Sequence, residues 1–336
     1  MQFSARLLSL FFLVFLFGCQ FVQSQKKGDR DVEIAILDDG GVFAHGDSQT
    51  MSIAPKDLYK YKEFNSLEKA LKNPDAVFRL DLSSKSLSKI PESLRKFKNL
   101  KSLNLSFNKI DKLPIWFSEL ENLVELQLSW NKLTQFPDAI LELKSLTHLS
   151  IEANRIPELP SDFGKLKGLV VFRCNNNLLT TLPESIGNLT KLHMLEVYAN
   201  KLTSLPESIA DCQNLVTLHT SYNKLKALPS SLSKLPKLTW LYFEDNQVEV
   251  LPENFGALKN LVYLGFEKNK IKVLPDSFAN LKKLYGLNMN ENQLENFADS
   301  FYEMQSIGDL HIQNNKLSEA TKTRLKAVFS KIPLYL

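Results

Sequence analysis

Residues 123–145 read LVELQLSWNKLTQFPDAILELKS, with Leu123, Leu126, Leu128, Asn131, Leu133, Phe136-Pro137, Ile140 and Leu143 at the fixed points. The order is a leucine-like residue, two variable positions, an apolar one, one variable, another apolar, two variable, then asparagine. The same order returns along the chain, and its asparagines stand at strict intervals of 23 residues: Asn108, Asn131, Asn154, Asn177, Asn200, Asn223, Asn246, Asn269, Asn292 and Asn315. An internal period of this size marks a solenoid, in which each unit packs only against its neighbours. Such a fold presents one long curved surface rather than a single pocket.

Counting back one period from Leu100 reaches Val77, so eleven units run from Val77 to Phe329. In each, an apolar–x–apolar pair (Leu103/Leu105, Leu149/Ile151, Leu241/Phe243) has the period of a strand with one buried face. One such strand cannot bury itself, but units stacked at about 4.8 Å make a continuous parallel sheet with a shared core. The asparagine, turned inward, is expected to bond the backbone of its own loop and of the next unit, since a buried amide must be satisfied.

Nine prolines keep the same register: Pro91, Pro114, Pro137, Pro160, Pro183, Pro206, Pro229, Pro252 and Pro275. Proline fixes φ and lacks a donor, so this segment is no second sheet strand. It reads as extended chain followed by a short helical turn on a wide outer arc.

This pattern is similar to the leucine-rich repeat family, in a 23-residue LxxLxLxxNxLxxLPxxφxxLxx form covering roughly three quarters of the chain. The resemblance implies an α/β solenoid, a horseshoe with a parallel β-sheet on its concave face and short helical or extended segments on its convex face. Lys85 replaces the first Asn and Ala298 the tenth Pro, departures that suit atypical terminal units.

Residues 1–18 read as an export signal: Arg6 gives a positive start and Leu7 to Phe17 is an apolar run too short to span a bilayer. Leu16-Phe17-Gly18-Cys19 resembles the lipobox of bacterial lipoproteins, which implies lipidation of Cys19 and anchoring in a membrane. An ordinary signal peptide with a chance cysteine is the alternative. Residues 19–31 then form the lipidated Cys and a tether, and residues 32–60 an uncertain leader. Its Asp38-Asp39-Gly40-Gly41 turn suits either a two-stranded hairpin or an unstructured segment.

Residues 61–76 form an N-terminal helical cap through the amphipathic stretch Ser66 to Asn73, residues 77–317 the repeats, and residues 318–336 a C-terminal helical cap. In that last cap Ser318 opens a helix to about Ser330 with Leu325, Val328 and Phe329 inward, and Leu334-Tyr335 lies in a last edge. The chain is expected to end there without an appended catalytic domain.

Cys174 takes an inner strand position held elsewhere by Leu105 and Leu128, and Cys212 an outer-arc position held by Leu189 and Leu235. Both read as small core side chains, and no Cys/His spacing suits a metal. The mature chain after Cys19 loses Arg6 from the 41 basic residues, so 40 minus 37 gives +3, too balanced for a nucleic-acid partner. Lys109, Lys132, Arg155, Lys201, Lys224, Lys270 and Lys316 follow their asparagines and line one rim, either as a solvated edge or as a binding one.

The variable strand positions are expected to face the concave side, and in repeats five to nine they change from small polar residues to Arg173, Met194, Glu196, Tyr198, His219, Tyr222, Trp240, Tyr242 and Tyr263. Exposed Trp, Tyr and Arg are the side chains richest in binding energy at interfaces. Glu244 and Glu267 border them, with Asp245 and Glu291 beyond. The set is the candidate site, suited to a partner with basic or mixed polar groups around an apolar anchor.

An enzyme is not expected. His148, Ser150 and Glu152 share one strand face, but neighbours two apart stand roughly 6.5–7 Å from each other, beyond hydrogen-bond reach of about 3 Å. The 12 glycines form no phosphate-binding or oxyanion loop.

The whole chain resembles the leucine-rich repeat lipoproteins of bacteria such as spirochaetes and Bacteroidetes. That implies an outer-membrane or surface protein, without cofactor, that holds a protein partner, including host or matrix proteins. The alternative is an envelope structural protein that binds glycan or peptidoglycan from the periplasmic side, because aromatic residues on a concave surface also suit sugar rings.

Overall fold

The computed structural model describes residues 55–336. The export signal, Cys19, the tether and the hairpin turn at Asp38–Gly41 lie outside the described residues. Thirteen strands form one parallel sheet in strict chain order, from β1 (Glu63–Phe64) through β2 (Arg79–Asp81) and on to β12 (Asp309–His311) and β13 (Leu334–Tyr335). The eleven strands β2 to β12 are the eleven repeats. Their register is one period throughout, as in Leu218↔Leu241 and Leu241↔Leu264.

Repeat six shows the core: Leu195, Val197, Leu202 and Ile209 have no exposed surface, whereas Leu87 and Leu113 in the first two repeats are partly buried. Phenylalanines fill the wider outer half, where Phe255 and Phe278 stack at 6.1 Å and Phe278 meets Phe301 at 6.3 Å. The prolines open the convex segments as expected. Pro183 and Pro206 have φ of −71° and −69° with extended ψ, and a 3₁₀ turn follows each, Glu184–Asn188 and Glu207–Asp211. Ala298 adopts the same dihedrals, φ −62° and ψ 153°, so the turn at Asp299–Glu303 forms without its proline.

All ten asparagines are tied into a ladder. Asn200 donates from Nδ2 to the carbonyls of Val197 at 3.0 Å and Cys174 at 2.9 Å, and its Oδ1 accepts from the amide of Leu179 at 3.0 Å. Cys174 and Leu179 belong to the preceding unit, so the amide reaches back along the solenoid, not forward to the next unit. The reason lies in the turn: the residue before each of the ten asparagines is left-handed, with φ between 48° and 57°. That conformation costs about 1–2 kcal/mol for a residue with a Cβ, and the ladder offsets it.

The ends are closed differently from each other. At the start, Ser66 caps helix α1 (Leu67–Ala70), shorter than the Ser66 to Asn73 stretch suggested, and β1 adds a strand where only helix was expected. The ion pair of Arg79 with Glu63, at 2.6 Å, fixes that added strand. At the other end Ser318 accepts from the Thr321 amide and caps helix α2 (Glu319–Val328). Leu325 and Phe329 are buried, but Val328 is 42% exposed and not inward. The buried residues of a short cap are set by one narrow stripe, and Val328 stands just outside it.

Candidate functional site

Strands β6 (Val171–Arg173), β7 (Met194–Glu196), β8 (Thr217–His219), β9 (Trp240–Tyr242) and β10 (Tyr263–Gly265) carry most of the candidate residues. Their register puts Arg173, Glu196, His219 and Tyr242 in one row, and Met194, Thr217, Trp240 and Tyr263 in another. The middle residue of each strand points into the core, so both rows stand on the concave face.

Three rings run across adjacent repeats. Tyr198 and His219 lie 4.5 Å apart between centroids, and His219 and Tyr242 5.4 Å apart. Beside them Arg173 donates to Glu196 at 2.9 Å and reaches the Met194 sulfur at 3.5 Å. Glu152, one strand earlier, accepts from Asn175 at 3.4 Å. On the far side Glu244 accepts from the Ser221 hydroxyl, and Glu267 accepts from Asn288 at 2.8 Å. Two glycines make room: a Cβ on Gly265 would overlap the Glu244 carboxylate, and one on Gly286 the Tyr263 ring.

The row containing Trp240 is less open than its placement suggested. Trp240 is 6% and Met194 2% exposed, while Tyr198, His219, Tyr242 and Tyr263 are half-buried and Tyr222 is 57% exposed. The register is not at fault. Side chains on neighbouring strands only about 4.8 Å apart shield one another, and a large ring lies down among them. Trp240 and Met194 therefore act as a floor beneath the Tyr/His row, and the surface offered to a partner is Tyr198, Tyr222, Tyr242 and Tyr263.

Burial sets the electrostatics. It pushes Glu152 up to about 7, with Arg173 opposing, and it raises Glu244, with Ser221 opposing. His219 is held down to about 4, against the pull of Glu196, and is neutral at pH 7. The Tyr198 hydroxyl is pushed up to about 12 and that of Tyr242 further still, so both remain donors. Arg173 is the single cation in this row and acts on Glu152 and Glu196, while further along the face Glu267 meets Lys268 at 3.5 Å. Glu244 has no cation partner among the ion pairs of the described residues.

The other sets stay apart. His148 is buried with its Nδ1 at 2.7 Å from the Thr147 hydroxyl, and the His219 ring lies tilted between those of Tyr198 and Tyr242. Among the described residues no group of three His, Cys, Asp or Glu side chains suits a metal ion, and no helix is long and apolar enough to cross a membrane. Cys174 and Cys212 are free and buried. A groove of about 790 Å³ beside the 3₁₀ turns, lined in part by Ile115, Phe136, Pro137 and Lys165, holds neither His nor Cys.

The position before each asparagine holds Phe107 and Trp130 in repeats two and three, and their rings stack at 5.7 Å in the open. The same column contains Tyr222, and reading it down the 23-residue period would have disclosed the pair.

Family models match in three stretches: R13L1/DRL21 leucine-rich repeats over residues 54–154, a leucine-rich repeat region over 125–202, and a leucine-rich repeat over 192–248. Comparison with curated protein sequences gives no significant match. Among solved structures, an internalin of Listeria monocytogenes is 20% identical, with a TM-score of 0.70 over 86% of this chain and 91% of that one. The ectodomain of the Arabidopsis thaliana receptor kinase GASSHO1/SCHENGEN3, solved with Casparian strip integrity factor 2, is 30% identical, with a TM-score of 0.63 over 68% of this chain. The present chain spans only 29% of that ectodomain. A leucine-rich repeat protein of Leptospira interrogans is 24% identical over 82% of this chain and all of that one, with a TM-score of 0.46. With its unbroken parallel sheet, asparagine ladder and 23-residue unit, the chain is a leucine-rich repeat protein built as an open solenoid.

Proposed function

We propose that this chain is a protein-binding module that holds its partner on the concave face of repeats five to nine, and that it is carried as a bacterial outer-membrane lipoprotein through Cys19. The observation that carries the binding reading is the run Tyr198, His219 and Tyr242, in which the His219 ring contacts each tyrosine in turn, bordered by carboxylates. Aromatic side chains bury much area with few rotors to freeze, which suits them to anchor a partner. The GASSHO1/SCHENGEN3 ectodomain, solved in complex with Casparian strip integrity factor 2, supports the same use of the fold. Glu152 and Glu196 beside Arg173 on one side of the rings, and Glu244 on the other, favour a partner that inserts a basic side chain over them. Anchoring rests on the sequence alone, on the apolar run before Leu16-Phe17-Gly18-Cys19. It would place the solenoid at an envelope surface, in contact with host or matrix proteins.

The test is a paired capture. The full-length protein and its Tyr198→Ala/Tyr242→Ala variant are incubated with envelope extract and with purified extracellular-matrix proteins. A protein held by the wild type and lost by an equally stable variant supports the reading. Equal capture by both overturns it. For the anchor, Cys19→Ser is expected to release the protein from membranes, and full retention of that variant would exclude lipidation as its tether.

A further inference from the structure

The left-handed position before each asparagine is occupied by small or polar residues in most repeats, including Ala153 and Ala199. In repeats two and three it holds Phe107 and Trp130, each with φ of 57°. A bulky side chain at positive φ is a backbone outlier. Here the rings are also 42% and 48% exposed, so folding recovers little by placing them there. They stack on each other 10° from parallel. In repeat four the same column holds Ala153, with only a methyl group, which leaves a slot one residue wide after the indole.

Charge flanks the same slot. Lys109, Lys132 and Arg155 stand two residues beyond Phe107, Trp130 and Ala153, are exposed, and enter no ion pair among the described residues. Of the strand carboxylates here, Glu125 is occupied by Ser102 at 2.7 Å and Gln127 at 2.8 Å, and Glu152, beside Ala153, accepts from Asn175 at 3.4 Å. Three consecutive repeats thus present two rings and three unpaired cations along one rim.

We propose that this ridge binds an acidic glycan, a sugar chain bearing carboxylate or sulfate groups, with one sugar ring stacked on Trp130 over Ala153 and its anions on Lys109, Lys132 and Arg155. A protein anchor wants an apolar pocket around its aromatic centre, whereas the strand positions beside these rings are Ser106, Ser129 and Gln127. A sugar ring meets both demands, with a C–H face for the indole and hydroxyls for polar neighbours. The strand spacing of about 4.8 Å is comparable with the length of one sugar residue, so successive anions can meet successive basic side chains. The site lies outside repeats five to nine and does not depend on the partner proposed for them.

The test titrates the full-length protein, by tryptophan fluorescence and calorimetry, with octasaccharides of galacturonate, hyaluronan and heparin. Two controls are methyl-esterified oligogalacturonate, which keeps the rings without charge, and poly-glutamate, which keeps the charge without rings. At least one acidic octasaccharide is expected to bind. Its affinity is expected to fall tenfold or more in Trp130→Ala and in Lys109→Gln/Lys132→Gln/Arg155→Gln, and to be unchanged in Tyr222→Ala, which alters the same column elsewhere. Melting curves of the variants confirm that they fold. Failure of all three octasaccharides to bind, equal binding by Trp130→Ala, or poly-glutamate binding as tightly as the best octasaccharide through the same residues would each overturn the proposal, the last by assigning the ridge to an acidic peptide.

Discussion

Asn200 donates its side-chain amide to the carbonyl of Cys174, 2.9 Å away and one repeat behind it, while its own oxygen holds the amide of Leu179. The relation of 26 and 21 residues recurs for the other asparagines, as in Asn108 with Leu82 and Leu87 and Asn292 with Phe266 and Ile271. The ladder stitches each turn to the unit before it. It also closes around a left-handed residue, Ala199 in this repeat, which would otherwise spread its strain into the strand.

Asn200→Ala is therefore expected to destabilise the fold by about 1–3 kcal/mol, the cost of leaving buried backbone groups without a partner. The urea midpoint should fall with an unchanged slope. Asn200→Asp keeps the acceptor and loses the donors, and should lie at least as low. An unmoved midpoint for both would remove the ladder from the stability of the solenoid.

Trp240 and Tyr242, two apart on one strand, should separate floor from surface. Trp240→Ala is expected to lose about 3 kcal/mol, the low end for a buried tryptophan. Tyr242→Ala, half-buried, is expected to lose about 1 kcal/mol and to abolish partner capture. If the two variants melt alike, the distinction between them drawn from burial is wrong.

The repeat was legible because a solenoid writes its contacts into a fixed period. Leu126, Asn131 and Pro137 each report a single local requirement, and that requirement recurs every 23 residues. What escaped the sequence was the crowding between neighbours. Trp240 stands in a strand position beside Thr217 and Tyr263, and its exposure depends on them, which a column read one residue at a time does not disclose. The direction of the ladder and the strand at Glu63–Phe64 escaped for the same reason, since both are settled by a partner distant in sequence. Val328 failed through a one-residue error in the face of a short helix. Phe107 and Trp130 are legible in the same 23-residue period, at the turn after the strand and not at a strand position.

Gly286 admits the Tyr263 ring, so Gly286→Val should displace it. Overpacking of this kind costs about 1–3 kcal/mol, and the moved ring should weaken partner binding as well. A double variant with Tyr263→Ala relieves the overlap and should recover most of the lost stability without recovering binding. Calorimetric melts of the four proteins give the coupling directly, and additive losses would mean that the ring does not occupy the space above the glycine.

Glu152 and His219 should give the concave face opposed responses to pH. Burial raises Glu152 from 4.5 to about 7, so between those values the folded chain keeps a proton the unfolded chain has lost, and stability falls as pH rises. Burial lowers His219 from 6.5 to about 4, so between those values the unfolded chain binds a proton the folded chain refuses, and stability falls as pH drops. Arg173, Glu196 and Asn175 act on Glu152, Glu196 acts on His219, Tyr198 lies near both, and Tyr242 lies on the far side of His219. Relative to wild type, Glu152→Gln should gain stability from pH 5 to pH 8, because the neutral amide never charges. His219→Gln should gain from pH 7 to pH 4.5. Melting curves across that range read both slopes, and curves parallel to wild type for either variant would show that its group titrates alike in the folded and unfolded chain. A basic partner docked beside Glu152 would favour its carboxylate, so binding is expected to tighten from pH 6 to pH 8 and to lose that dependence in Glu152→Gln.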